Sequence, residues 1–99
     1  MLYSLKDKLK FDEDPKLEIT DKLTVTVKAD AETVLKLMDV VNSKGEVEGA
    51  LEAVNLLFSE KDRKALFALH LSMTDFTTVI THAMQVAVGE DPDAETSGE

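Results

Sequence analysis

The hydrophobic period changes once along this chain, at Ala29-Asp30, and that change restricts the fold more than any other feature. Before it, Leu17 and Ile19 alternate with Glu18 and Thr20, and Leu23, Val25 and Val27 alternate with Thr24, Thr26 and Lys28. Strand side chains point alternately to opposite faces, so each run gathers its aliphatic residues on one side. With Asp21-Lys22 as the short connection, the two runs read as an antiparallel β-hairpin. Asp-Lys suits the positive φ of a primed two-residue turn less well than Asp-Gly, which leaves a slightly longer loop open. Beyond Asp30 the apolar residues recur at intervals of three and four, the spacing of helices.

Four helices are predicted there. Asp30 opens the first as N-cap, where its carboxylate accepts an otherwise orphaned backbone N–H, an arrangement worth about 1 kcal/mol against Ala. Val34, Leu37, Met38 and Val41 form its apolar stripe, and Asn42-Ser43-Lys44-Gly45 ends it. The second carries Val47, Leu51, Val54 and Phe58 on one face, with Leu57 beside them. Ser59-Glu60-Lys61-Asp62 is a capped start for a short third helix holding Ala65, Leu66 and Leu69, and Ser72-Met73-Thr74-Asp75 repeats the arrangement for the fourth. Met73, Phe76, Ile80, Ala83, Met84 and Ala87 give that last helix a broad apolar face before Gly89 closes it, and Val79, Val86 and Val88 widen it further. A helix so apolar is either central in the core or keeps part of its surface for a partner.

The two ends are less regular. Residues 3–11 alternate with one fault at Asp7, which would add a third strand, while a helix would instead use Leu2, Leu5 and Leu9. Asp12-Glu13-Asp14-Pro15 breaks either pattern as a turn. Residues 90–99, with Glu90, Asp91, Asp93 and Glu95 among Pro92, Ser97 and Gly98, read as a disordered acidic tail. The expected fold class is therefore α+β: a single domain over 1–89 with an N-terminal hairpin, of two strands or three, then about four helices and the tail.

Chemistry finds little purchase. A chain of 99 residues buries roughly 60–70% of its unfolded surface, enough for one core and too little for separate cofactor and substrate domains. It has no cysteine, which removes disulfides, thiolate zinc sites and thiol nucleophiles, and makes a cytosolic home the default. His70 and His82 lie on different predicted helices, so a shared metal site would need the fold to bring them together; the plain reading puts one at a helix end and the other on a polar face. Asp12-Glu13-Asp14 begins like a calcium loop but lacks the glycine and flanking helices of an EF-hand. Gly45 and Gly49 match G-x-x-x-G without an apolar span, and read as loop and helix-entry residues. Neither nucleotide-binding glycine motif occurs. No catalytic residue, cofactor or metal is expected, and no enzyme. The absence of a long apolar run argues against a membrane segment, and the net charge of −9 against nucleic acid. That charge is polarised: all 11 Lys and Arg lie in residues 1–64, and residues 65–99 hold six acids and no base.

The stretch Leu56-Leu57-Phe58-Ser59-Glu60-Lys61-Asp62-Arg63-Lys64-Ala65-Leu66, then Leu69-His70-Leu71-Ser72-Met73-Thr74-Asp75-Phe76-Thr77-Thr78-Val79-Ile80 and the Val88-Gly89-Glu90 exit, resembles the tail assembly chaperones of long-tailed bacteriophages. The resemblance covers roughly residues 16–90 and lies in the order of parts: a hairpin, a Val-, Leu- and Met-rich helix, a Leu-Ser-x-x-Asp-Phe entry to an apolar helix, a glycine, then a charged tail. It implies a non-catalytic protein of virion assembly. Such chaperones bind the aggregation-prone tape measure protein, keep it soluble and help recruit tail tube protein. They act in the cytoplasm of the bacterial host, are absent from the mature virion, and are often also made as a frameshifted longer form. For this chain the expected partner-binding residues are Met73, Phe76, Val79, Ile80 and Met84 on the last helix, with Glu90, Asp91, Asp93 and Glu95 in the tail; a homo-oligomer would use the same patch. The alternative from charge is an acidic nucleic-acid mimic that inhibits a DNA-binding protein.

Overall fold

A computed structural model describes residues 1–9 and 13–89. The fold is α+β. Strands β1 (Lys16–Thr20) and β2 (Leu23–Thr26) pair antiparallel, and four helices follow: α1 (Ala31–Ser43), α2 (Glu46–Leu57), α3 (Glu60–Ala68) and α4 (Met73–Ala87). The pairing sets Lys16 opposite Thr26, Leu17 opposite Val25 and Glu18 opposite Thr24, then slips so that Thr20 faces Leu23. This slip resolves the turn. Neither Asp21 nor Lys22 takes a positive φ; the irregularity at Ile19 absorbs the strain a primed turn would place on them, and Thr20 Oγ1 accepts the Lys22 N–H at 3.1 Å. Residues 1–9 add no strand. They hold one turn, in which the Lys8 N–H donates to the Leu5 carbonyl at 2.9 Å, because Asp7 interrupts the apolar face that a third strand would have to bury. Lys10 and Phe11 lie outside the described residues.

A two-stranded hairpin is marginal alone, and here the helical layer holds it. Val25 and Val27 are fully buried against Leu37, Val54, Leu57, Phe58, Leu66 and Ile80. Full burial of each large side chain contributes about 1.5–3 kcal/mol. Two hydrogen bonds fasten the same joint: the Lys28 N–H donates to the Leu57 carbonyl at 2.8 Å, and the Thr26 N–H to Asp62 Oδ2 at 3.0 Å. Asp62 sits at the third position of α3, where Ser59 Oγ accepts its N–H at 3.3 Å. Its carboxylate thus reaches across to β2.

The caps form where the sequence places them. Asp30 accepts the Thr33 N–H at 3.3 Å and the Thr33 hydroxyl at 2.7 Å; that hydroxyl bond holds its carboxyl below the usual 3.8. Ser72 Oγ accepts the Asp75 N–H at 3.1 Å, and Gly89, at φ +92°, ends α4. At the α1–α2 corner Glu48 and Glu52 raise the Lys44 ammonium above its usual 10.5, with Nζ 3.4 and 3.6 Å from their carboxylates. Gly45 is the N-cap of α2 and Gly49 lies in the first turn of that helix, facing Val40, in keeping with their reading as loop and helix-entry residues.

Two apolar stripes are only half buried. In α1, burial centres on Leu37 and Val40, nearly a quarter of a turn round from the middle of the sequence stripe, and Met38 and Val41 stay exposed. In α2 the buried residues are Ala53, Val54 and Leu57, with Phe58 just beyond, whereas Val47 and Leu51 face outward. The α2 members of the core cluster all lie in its C-terminal half, so the stripe continues past the end of the core. In α3 only Leu66 is buried, and Leu69 lies at the surface.

Candidate interaction surface

The uncovered half of the α2 stripe is one wall of an apolar groove. Val47, Ala50 and Leu51 project from α2, Leu66 and Phe67 from α3, and Met73 and Phe76 from the first turn of α4; together with His70 and Leu71 they enclose about 430 Å³. The α3–α4 corner shapes one end. Its amides turn back, Leu69 N–H to the Leu66 carbonyl and His70 N–H to that of Phe67, each at 3.1 Å, and His70 takes φ 54°. That left-handed position usually falls to Gly or Asn, and holding a histidine there costs on the order of 1–3 kcal/mol. The Phe67 and Phe76 rings stack with centroids 5.5 Å apart and an interplanar angle of 23°, forming a flat floor across α3 and α4. Phe67 is nevertheless 50% exposed, Val47 73% and Met73 67%. Single exposed apolar residues are ordinary on protein surfaces; contiguous patches mark interaction sites.

The five helix residues expected to form one partner patch point in different directions. Met73 and Phe76 line the groove. Ile80 is only 6% exposed and belongs to the core, so the sequence-based expectation that it contacts a partner is corrected: at this point α4 crosses α2, and Ile80 packs with Ala53, Val54 and Leu57. Val79 is partly buried and borders a shallower depression with Leu17, Ile19 and His82. Met84 is also partly buried and lies beside Met38, Val41 and Val88, on the α1 side. Glu90, Asp91, Asp93 and Glu95 lie outside the described residues.

Val47 and Leu51, which the sequence reading placed on the apolar face of α2, and Phe67, which it passed over, are groove residues. Phe67 did carry a signal, since it falls off the Ala65, Leu66 and Leu69 stripe of its own helix and an aromatic ring off the buried stripe has no core to enter.

His70 is the one ionisable side chain in the groove's lining. His82 lies elsewhere, its Nδ1 2.9 Å from the Thr78 carbonyl, so the fold does not bring the two rings into one site. Among the described residues no three His, Asp or Glu side chains converge to hold a metal ion, and no helix is long and apolar enough to cross a membrane. Comparison with protein-family models, curated proteins and solved structures finds no match to this chain.

Proposed function

We propose that the chain is a tail assembly chaperone of a long-tailed bacteriophage, a non-catalytic protein that covers apolar segments of the tape measure protein and helps bring tail tube protein to it. The observation that carries this reading is the apolar groove between α2, α3 and α4, open to solvent and built around exposed Met and Phe side chains. A holdase needs such a surface, and methionine adapts to varied client side chains. The net charge of −9 disperses the complex it forms. The order of hairpin, helices, Leu-Ser-x-x-Asp-Phe entry and closing glycine that underlies the resemblance supports the same role. On this reading the protein works in the host cytoplasm, alongside any frameshifted longer form of itself, and leaves before the virion is finished.

The test is co-expression with the tape measure protein encoded in the same genome. Leu51→Asp and Phe67→Asp change exposed groove residues, so both variants are expected to keep wild-type helical circular dichroism while losing co-purification and leaving the client insoluble. Undiminished co-purification by both variants would refute the assignment of the groove, and a client that is soluble without the chain would refute the chaperone role.

A further inference from the structure

The molecule exposes an apolar arm as well as an apolar groove. Leu2, Leu5 and Leu9 are each at least 52% exposed and Met1 and Tyr3 at least 80%; residues 1–9 are all exposed, and none belongs to the core cluster or packs against it. Its turn at 5–8 is already helical in sense. Continued at 100° per residue, it would gather Leu2, Leu5 and Leu9 within about 60° of arc and set Lys6 and Lys8 on opposite flanks. The groove is the complement of that shape and charge. Its lining is apolar, and the carboxylates that adjoin Val47 and Phe76 in sequence are Glu46, Glu48 and Asp75. Of these, only Glu48 is paired with a cation among the described residues, to Lys44. Two of the three cations of α3 are already engaged: Lys64 Nζ lies 3.3 Å from Glu60, and Arg63 donates to the Phe58 carbonyl at 2.7 Å.

We infer that the N-terminal arm of one copy docks as a short helix in the α2–α3–α4 groove of a second copy, and that the exchange is reciprocal. Reciprocity closes the contact into a two-fold dimer, where a one-way contact would propagate into a filament. A nine-residue helix is about 13 Å long and 11 Å wide, so two arm–groove contacts bury on the order of 900 Å² in all. That is the low end for a specific interface, and the dimer is accordingly reversible and visible only as concentration rises. The inference does not depend on the chaperone reading, because arm and groove come from the same chain and no client enters the argument.

Sedimentation equilibrium of the full chain over about 10–500 µM tests it by mass action. The expected mass rises from 10.9 kDa toward twice that value. Leu5→Asp/Leu9→Asp, which spoils the arm, and Leu51→Asp, which spoils the groove, each stay monomeric with wild-type circular dichroism. Mixed in equal amounts they recover a heterodimer through the one intact arm–groove pair, at least about tenfold weaker than the wild-type dimer because one of its two contacts is missing. Should Leu51→Asp fold poorly, Val47→Asp replaces it at a still more exposed position. A wild-type chain that remains monomeric throughout, with its arm loose or folded into its own groove, overturns the inference. So does an arm variant that dimerises like wild type, which would mean that groove meets groove.

Discussion

Replacing Asp62 with alanine removes the acceptor of the Thr26 N–H, and the hydrogen bond at stake joins the hairpin to the helical layer. The ionised carboxylate makes this bond stronger than a neutral one, about 1.5–3 kcal/mol, and alanine leaves the part-buried amide without a partner. Because both groups keep some access to water, the lower half of that range applies, about 1.5–2 kcal/mol. Each kcal/mol moves the melting temperature of a domain this size by about 4–8 °C, which places Asp62→Ala roughly 6–16 °C below wild type. That is a sizeable share of the 5–15 kcal/mol or so that domains possess. Asp62→Asn separates two explanations. If the acceptor geometry matters, the amide oxygen still takes the N–H and about half the loss is recovered. If Asp62 acts only as a negative charge at the start of α3, a role worth about 0.3–1 kcal/mol, Asn and Ala lose the same amount. Urea unfolding at pH 7 with an unchanged m value measures both, and hydrogen exchange at Thr26 reports the bond itself. A loss below about 0.5 kcal/mol in Asp62→Ala, or unaltered protection of the Thr26 amide, would refute the proposed tie.

Further consequences concern the core, the caps and the helix end. Ile80→Ala, at a buried site, is expected to lower stability by about 2–5 kcal/mol in chemical denaturation, while Leu51→Ala, at an exposed one, stays within about 0.5 kcal/mol. The Asp30 carboxyl titrates below its ordinary 3.8 in the folded state, so its contribution is fully present above that value and disappears as pH falls through the lowered one. Melting curves should therefore show wild type losing stability relative to Asp30→Asn in that acidic window, and parallel curves at every pH would contradict the cap. Gly89→Ala forces a side chain into φ +92°, a substitution expected to fray the end of α4 and cost about 1 kcal/mol; nuclear magnetic resonance shifts of Val86 to Val88 would locate the fraying.

Element type was legible because each element carries its own local chemistry. The alternation from Leu17 to Val27 and the oxygen-bearing caps Asp30, Ser59 and Ser72 act within a few residues, so their effects can be read in order along the chain. Which part of an apolar stripe is buried was not legible, because that depends on how far the neighbouring element extends. Val47 and Val54 look alike in the α2 pattern, yet Val54 is 1% exposed within the core cluster and Val47 lies outside it at 73%. The same reason sends Ile80 to the core and Phe76 to the groove, although they lie one turn apart on α4. Asp62 shows a third kind of limit: its position in a capping sequence was evident, whereas its long-range bond to Thr26 spans 36 residues and follows from tertiary structure alone.

The sheet has one closed edge and one open one. Asp62 and the Leu57 carbonyl take the amides of Thr26 and Lys28, while the outer edge of β1 takes no backbone partner among the described residues, and Lys16, Glu18 and Thr20 set their side chains on the exposed face of the sheet. In the language of polymers, the hairpin is a unit of functionality one. Two copies can meet edge to edge through β1, but the pair then offers no free strand on which a third can add. Stacking into an extended cross-β array needs a functionality of two, and the bonds already made by the Thr26 and Lys28 amides work against addition on the β2 side. A protein that carries apolar surface in the open thus sets a carboxylate and a carbonyl against strand addition at one edge of its sheet.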